Sequence, residues 1–134
     1  MHELTLVQGM LDSVNDSAAE KGRRVRSYRI GVGELAQFDG KLLRQLFADL
    51  TKGTALEGVS FSMEPEKSVL RCLGCGKTWG FQDVAGQLTK QEREMVHFLP
   101  EILNSCAKCP SCSKSFFDIE KGRSVRVIEV VFDG

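Results

Sequence analysis

The chain has 134 residues, 42% of them hydrophobic and 27% charged, and its eighteen Lys and Arg are matched by eighteen Asp and Glu. A chain of this length makes one ordinary domain, or a small domain with a metal-stapled appendage. The zero net charge argues against a general nucleic-acid binder, which needs surplus basic side chains to displace phosphate counterions. No apolar run approaches a membrane span, and no basic leader opens the sequence, so the expected location is the cytoplasm and no membrane partner is expected. In that compartment, paired cysteines are metal ligands more often than disulfides.

From the N-terminus, Leu4, Val7, Leu11, Val14 and Ala18 recur at three- and four-residue steps, predicting a helix to about Lys21 that Gly22 ends. Asp12, Asp16 and Glu20 fall on another stripe of that helix and read as a solvated face. Tyr28, Ile30 and Val32 then alternate with Arg29 and Gly31, the two-residue period of a strand. The run GVGELAQ that ends it lacks the third glycine and the Lys-Ser/Thr of a phosphate loop. Asp39 offers an N-cap to a second amphipathic helix carrying Leu42, Leu43, Leu46, Phe47 and Leu50. Val59, Phe61 and Met63 predict a second strand that Pro65 should break, and Val69 and Leu70 lead into Cys72. The last strand places Val125, Val127 and Val131 on one face and Ile128, Val130 and Phe132 on the other. Apolar residues on both faces predict an interior position in the sheet. The cysteine stretch is then an insertion between strands of one sheet.

All five cysteines lie between Cys72 and Cys112. Two residues between cysteines allow a tight turn whose N–H groups point at the thiolates, and two such turns facing each other supply tetrahedral sulfur coordination for zinc. Cys72 and Cys75 form the first pair. For the second, Cys109 and Cys112 are favoured because Pro110 fixes the turn, and Cys106 with Cys109 is the competing pair. Trp79, Phe81, Phe116 and Phe117 are expected to pack around the metal, with little else to fill a core there, so that metal removal should unfold this part. The interval 76–108 exceeds the roughly 15–20 residues of a compact two-knuckle ribbon. Its residues 89–94 favour a helix, and Pro100 opens another helical turn.

His2 and His97 are the two histidines. At His2, the amine of Met1, the amide nitrogen and the imidazole Nδ1 can close two fused chelate rings, a planar nitrogen set suited to Ni(II) or Cu(II). His97 stands between Val96 and Phe98. No nucleophile with an adjacent base is visible, and no enzymatic activity is expected.

The opening Met1, His2, Glu3, Leu4, Leu6, Val7 and Gln8, the GELAQ of residues 33–37, CLGCG from Cys72 to Gly76 and CPSC from Cys109 to Cys112 together resemble the HypA/HybF nickel chaperones of hydrogenase maturation. The segment His97 to Glu101, HFLPE, is similar to the archaeal-type versions with an extended zinc domain. The resemblance implies Ni(II) as transient cargo at Met1, His2 and Glu3, with His97 as a further ligand, and structural Zn(II) at Cys72, Cys75, Cys109 and Cys112. It implies delivery to the [NiFe] hydrogenase large-subunit precursor with the GTPase HypB, and to urease in some bacteria. Ser113 stands where the family commonly has glycine after the second knuckle. The fold expected is α+β: a small mixed three-stranded sheet with two helices (1–71 and 116–134) plus an inserted rubredoxin-like zinc ribbon (72–115), as monomer or homodimer. The alternative is a zinc-ribbon module that binds protein or nucleic acid and has no nickel function.

Overall fold

The computed structural model describes residues 3–36 and 38–134. Helix α1 (Glu3–Lys21) buries Val7, Met10, Leu11 and Val14. It closes with hydrogen bonds from Gly22 N–H to the Ala19 carbonyl and from Arg23 N–H to the Ala18 carbonyl, which satisfy the final turn. Leu4, expected on the apolar stripe, is 54% exposed. Strand β1 (Val25–Gly33) follows, and then α2 (Gly40–Leu50), whose N-cap Asp39 accepts from the amides of Lys41 and Leu42. Strand β2 (Ser60–Glu66) runs on through Pro65 where the sequence predicted a break. The strand order β2-β1-β6, with β6 spanning Val125–Phe132, explains this, because β2 is at an edge and its proline need not donate to a neighbour on both sides.

The same order corrects the expectation for the last strand: β1 is central and β6 is the other edge. Apolar side chains report what lies above and below a sheet, not whether a strand has two neighbours. Helix α1 packs on both α2 and β6. Val125 is buried, whereas Val127, Ile128, Val130, Val131 and Phe132 are only half-buried. Tyr28 of β1 stacks on Phe61 of β2 at 5.5 Å between ring centroids, and both meet Phe47 of α2. On the strands, Arg29 bridges Glu64 at 3.2 Å and Glu129 at 3.1 Å, tying all three strands together.

Residues Met1–Gly31, Phe38–Glu64 and Val125–Gly134 form one compact unit, and Val32–Gln37 with Pro65–Ser124 form a second. The second unit is therefore wider than the 72–115 insertion expected from the cysteines. Its sheet has the order β4-β3-β5, from β3 (Val69–Cys72), β4 (Thr78–Trp79) and β5 (Phe117–Lys121), with both pairings antiparallel. Cys72 pairs with Phe117 and Leu70 with Trp79. Boundaries at 72 and 115 would cut through this sheet's own hydrogen bonds.

Three helices complete the second unit: α3 (Phe81–Ala85), α4 (Lys90–Phe98) and α5 (Leu103–Cys106), the last preceded by a single turn at Pro100–Ile102. A reciprocal cap starts α4: Glu92 N–H donates to Thr89 Oγ at 3.1 Å and Thr89 N–H to Glu92 Oε1 at 2.8 Å. Here the expectation of an aromatic shell with little other core fails. Leu35, Leu70, Val84, Leu88, Val96 and Leu103 join Phe81 and Phe117 in a hydrophobic cluster that includes the buried Cys72 and Cys109, while Phe116 is 65% exposed.

Candidate metal centre

Two turns with the same backbone build the centre. In the first, Cys72 N–H donates to the Lys77 carbonyl and Gly76 N–H to the Cys72 carbonyl, both at 2.8 Å. In the second, Cys109 N–H donates to the Lys114 carbonyl at 2.8 Å and Ser113 N–H to the Cys109 carbonyl at 2.9 Å. The turn demands a left-handed residue after its second cysteine. Gly76 takes φ of 80° at no steric cost, and Ser113 takes 65° against one.

The Sγ atoms of Cys72, Cys75, Cys109 and Cys112 all lie within 4.8 Å of one another. Cys72 Sγ is 3.5 Å from Cys112 Sγ, and Cys75 Sγ is 3.7 Å from Cys109 Sγ. Thiolates about 2.3 Å from a central zinc stand about 3.8 Å apart at tetrahedral angles. The donor set therefore fits a tetrahedral metal ion that prefers sulfur. Each turn contributes one buried cysteine, Cys72 or Cys109, and one more open to solvent, Cys75 or Cys112.

The electrostatics divide the group, favouring the thiolate at Cys109 and Cys72 and the thiol at Cys112. Burial resists ionisation of Cys109, but the N–H groups of Cys112 and Ser111, then Trp79 and Cys75, outweigh it and bring its pKa down to about 6. The buried indole nitrogen of Trp79 makes no hydrogen bond of its own in this structure. Cys72 is likewise lowered: burial opposes ionisation, and the amides of Cys75 and Gly74 and the thiol of Cys112 overcome that opposition. For Cys112 the Lys114 amide lowers the pKa, yet burial and the three neighbouring sulfurs together push it up to about 11. Four sulfurs this close hold protons between them until a cation replaces those protons.

Cys106 is outside the group. Its Sγ donates to the Ile102 carbonyl at 3.2 Å, and burial with the nearby charge of Glu92 raises its pKa. The second pair in this geometry is thus Cys109 with Cys112. Of the residues expected at nickel, Met1 and His2 lie outside the described residues. Glu3 is in the first turn of α1, in the first unit, and His97 is in the last turn of α4, in the second. The half-buried His97 ring places Nδ1 3.3 Å from the Leu35 carbonyl oxygen.

Sequence reading gave Glu34 and Leu35 no role beyond the family motif. In the structure Glu34 Oε1 accepts from Ser68 Oγ at 2.6 Å and Ser68 N–H at 3.0 Å, and Oε2 accepts from Gln82 at 3.0 Å. Burial works against its charge, but the bonds from Ser68 and Gln82 prevail and lower its pKa. Ser68 Oγ in turn accepts from Phe81 N–H at 2.9 Å. A glutamate on a short loop carries no periodic signal that would have shown this.

Over residues 1–132 the chain matches the family model described as hydrogenase/urease nickel incorporation, metallochaperone, hypA. The chain belongs to the HypA family. Among its relatives, the hydrogenase maturation factor HypA of Pyrococcus furiosus is 31% identical over 134 residues, covering 99% of this chain and 96% of that protein. The HypA of Pyrococcus horikoshii is 33% identical, covering 95% of this chain and 92% of its own length. The fold is also that of the solution structure of the Ni metallochaperone HypA from Helicobacter pylori, at a TM-score of 0.65 and 16% identity, with 98% of this chain and 97% of that one covered. Membership in the HypA family makes the chain a metallochaperone of nickel incorporation and does not favour a zinc-ribbon module without nickel. No helix among the described residues is long and apolar enough to cross a membrane.

Proposed function

We propose that this chain binds Ni(II) through Met1, His2 and Glu3, with His97 as a further donor, and delivers it for maturation of [NiFe] hydrogenase, with urease as a second recipient. Cys72, Cys75, Cys109 and Cys112 hold a structural Zn(II). The partners are the GTPase HypB and the hydrogenase large-subunit precursor, reached in the cytoplasm by a monomer or homodimer that catalyses no reaction itself. The observation that carries this reading is the segregation of donors. Four cysteine sulfurs converge on one another and exclude the fifth, which supports reserving sulfur for a tetrahedral ion. The nitrogen donors of Met1, His2 and His97 then constitute a chemically different set, suited to the planar preference of Ni(II). Intrinsic affinity at nitrogen favours Cu(II), so selectivity for nickel comes from metal supply or partner docking.

Zinc supplies charge neutralisation and cross-linking; the protein supplies a fixed frame that keeps the thiolates for zinc. A cargo site must release as well as bind, which favours few protein donors and an open side. Equilibrium nickel binding by the zinc-loaded protein and by its His2→Ala variant is the test. We expect the variant to lose most of its affinity, and undiminished binding would sink the reading. An extra residue placed before Met1 displaces the amine and should weaken binding separately from the imidazole.

A further inference from the structure

The tetrahedral cysteine group leaves unexplained the Gly33–Ala36 loop and its contact with His97. This loop is fixed with unusual completeness for its length. Gly33 N–H donates to the Ser124 carbonyl at 3.0 Å, Glu34 N–H to Glu66 at 2.9 Å, and Leu35 N–H to Gly122 at 2.8 Å. A Cβ on Gly33 would lie 2.5 Å from the Gly122 carbonyl oxygen, so only glycine permits this approach. The Leu35 side chain is fully buried, and the Glu34 carboxylate is engaged by Ser68 and Gln82. The Leu35 carbonyl of this loop is met by Nδ1 of His97.

A carbonyl oxygen only accepts, so the nitrogen facing it must carry the proton. That fixes the neutral imidazole as the Nδ1–H tautomer and leaves the Nε2 lone pair as the one available donor to a metal. Neutral histidine in water favours the opposite tautomer. Metal-ligating histidines commonly have their second nitrogen held by a carbonyl or carboxylate in this manner, which sets ring orientation and raises donor basicity.

We propose that the Leu35 carbonyl holds His97 in the Nδ1–H tautomer with Nε2 presented to nickel, and that Glu34 is the positioning residue that pins this carbonyl. The proposal rests on His97 being a nickel donor. It assigns the glutamate of the GELA segment a purpose in cargo binding although its side chain touches no metal.

Long-range 1H–15N correlation on the zinc-loaded, nickel-free His2→Ala protein leaves one imidazole to observe. With the imidazole neutral, the expected spectrum has a protonated Nδ1 and a pyridine-like Nε2. A predominant Nε2–H form would overturn the proposal. Glu34→Ala should shift the population toward Nε2–H and, in a background with His2 intact, weaken nickel binding about 10-fold. Glu34→Gln, which keeps an acceptor oxygen for Ser68, should retain the wild-type tautomer. An unchanged tautomer in folded Glu34→Ala removes Glu34 from the proposal. Should Glu34→Ala fail to fold, by zinc content and circular dichroism, Gln82→Ala takes its place: it removes one bond to Glu34, and no shift in it is equally adverse. His97→Ala with unaltered nickel affinity would defeat the parent reading, whereas lost affinity there combined with an Nε2–H tautomer would defeat this inference alone.

Discussion

The two cysteine turns share a hydrogen-bond pattern but not a sequence. CLGCGK from Cys72 places glycine after the second cysteine, and CPSCSK from Cys109 places serine there, yet both positions have positive φ. The second turn thus carries a backbone cost of roughly 1–2 kcal/mol that the first does not. It also has Pro110, which reduces the freedom lost on folding. Similar geometry has been reached once by removing a side chain and once by constraining the backbone, and a metal ion bound by the four sulfurs would offset the cost of the second turn.

That contrast can be broken most severely at the ligands. Cys112→Ser and Cys75→Ser should each lower zinc content measured by elemental analysis, with loss of much of a contribution on the order of 10 kcal/mol for structural sites. Cys106→Ser should retain full zinc, and the reverse result would move the second turn by three residues. Chelation of the zinc is next in size. The second unit's cluster includes Leu88, Val96 and Leu103 on or beside its helices, so the stripped protein should lose thermal stability while keeping much of its helical circular dichroism. Complete collapse to coil would show that the metal alone sustains that core.

Exchanging the residues of the two turns sharpens the comparison further. Gly76→Ser should destabilise by about 1 kcal/mol, and Ser113→Gly should stabilise by somewhat less because glycine frees the unfolded chain, both read from denaturant midpoints. The smallest effect concerns a part of the same unit fastened without metal. Glu34 has a lowered folded pKa, so its contribution is present above the ordinary carboxyl value and fades as pH falls through the folded one. Partly exposed, it should contribute under about 1 kcal/mol. The stability difference between wild type and Glu34→Gln should therefore shrink on acidification, and a difference that widens would contradict this sign.

Several of these features were legible in the chain alone. The spacing of Cys72, Cys75, Cys109 and Cys112 anticipated their convergence, because a CxxC turn is a local object whose geometry follows from four residues. Asp39 and Gly22 marked helix ends for the same local reason. Sheet order was not legible: β6 carries apolar residues on both faces, but edge and centre differ in hydrogen-bond partners that side-chain chemistry does not encode. The second unit's core was missed because attention to cysteines and aromatics passed over Leu35, Val84 and Val96, which come from segments too short for periodicity to stand out. The hold of Leu35 on His97 spans 62 positions and passes through a main-chain oxygen, an atom every residue has.

Cys106 adds a consequence for the handling of cargo. A protein that ferries a thiophilic ion past a loose thiolate risks diverting that ion to the wrong address and invites oxidative cross-linking between copies. Here burial and the charge of Glu92 keep the fifth thiol protonated at neutral pH, and the Ile102 carbonyl occupies its hydrogen. The spare sulfur is held as a thiol, so alkylating reagents should react with it slowly.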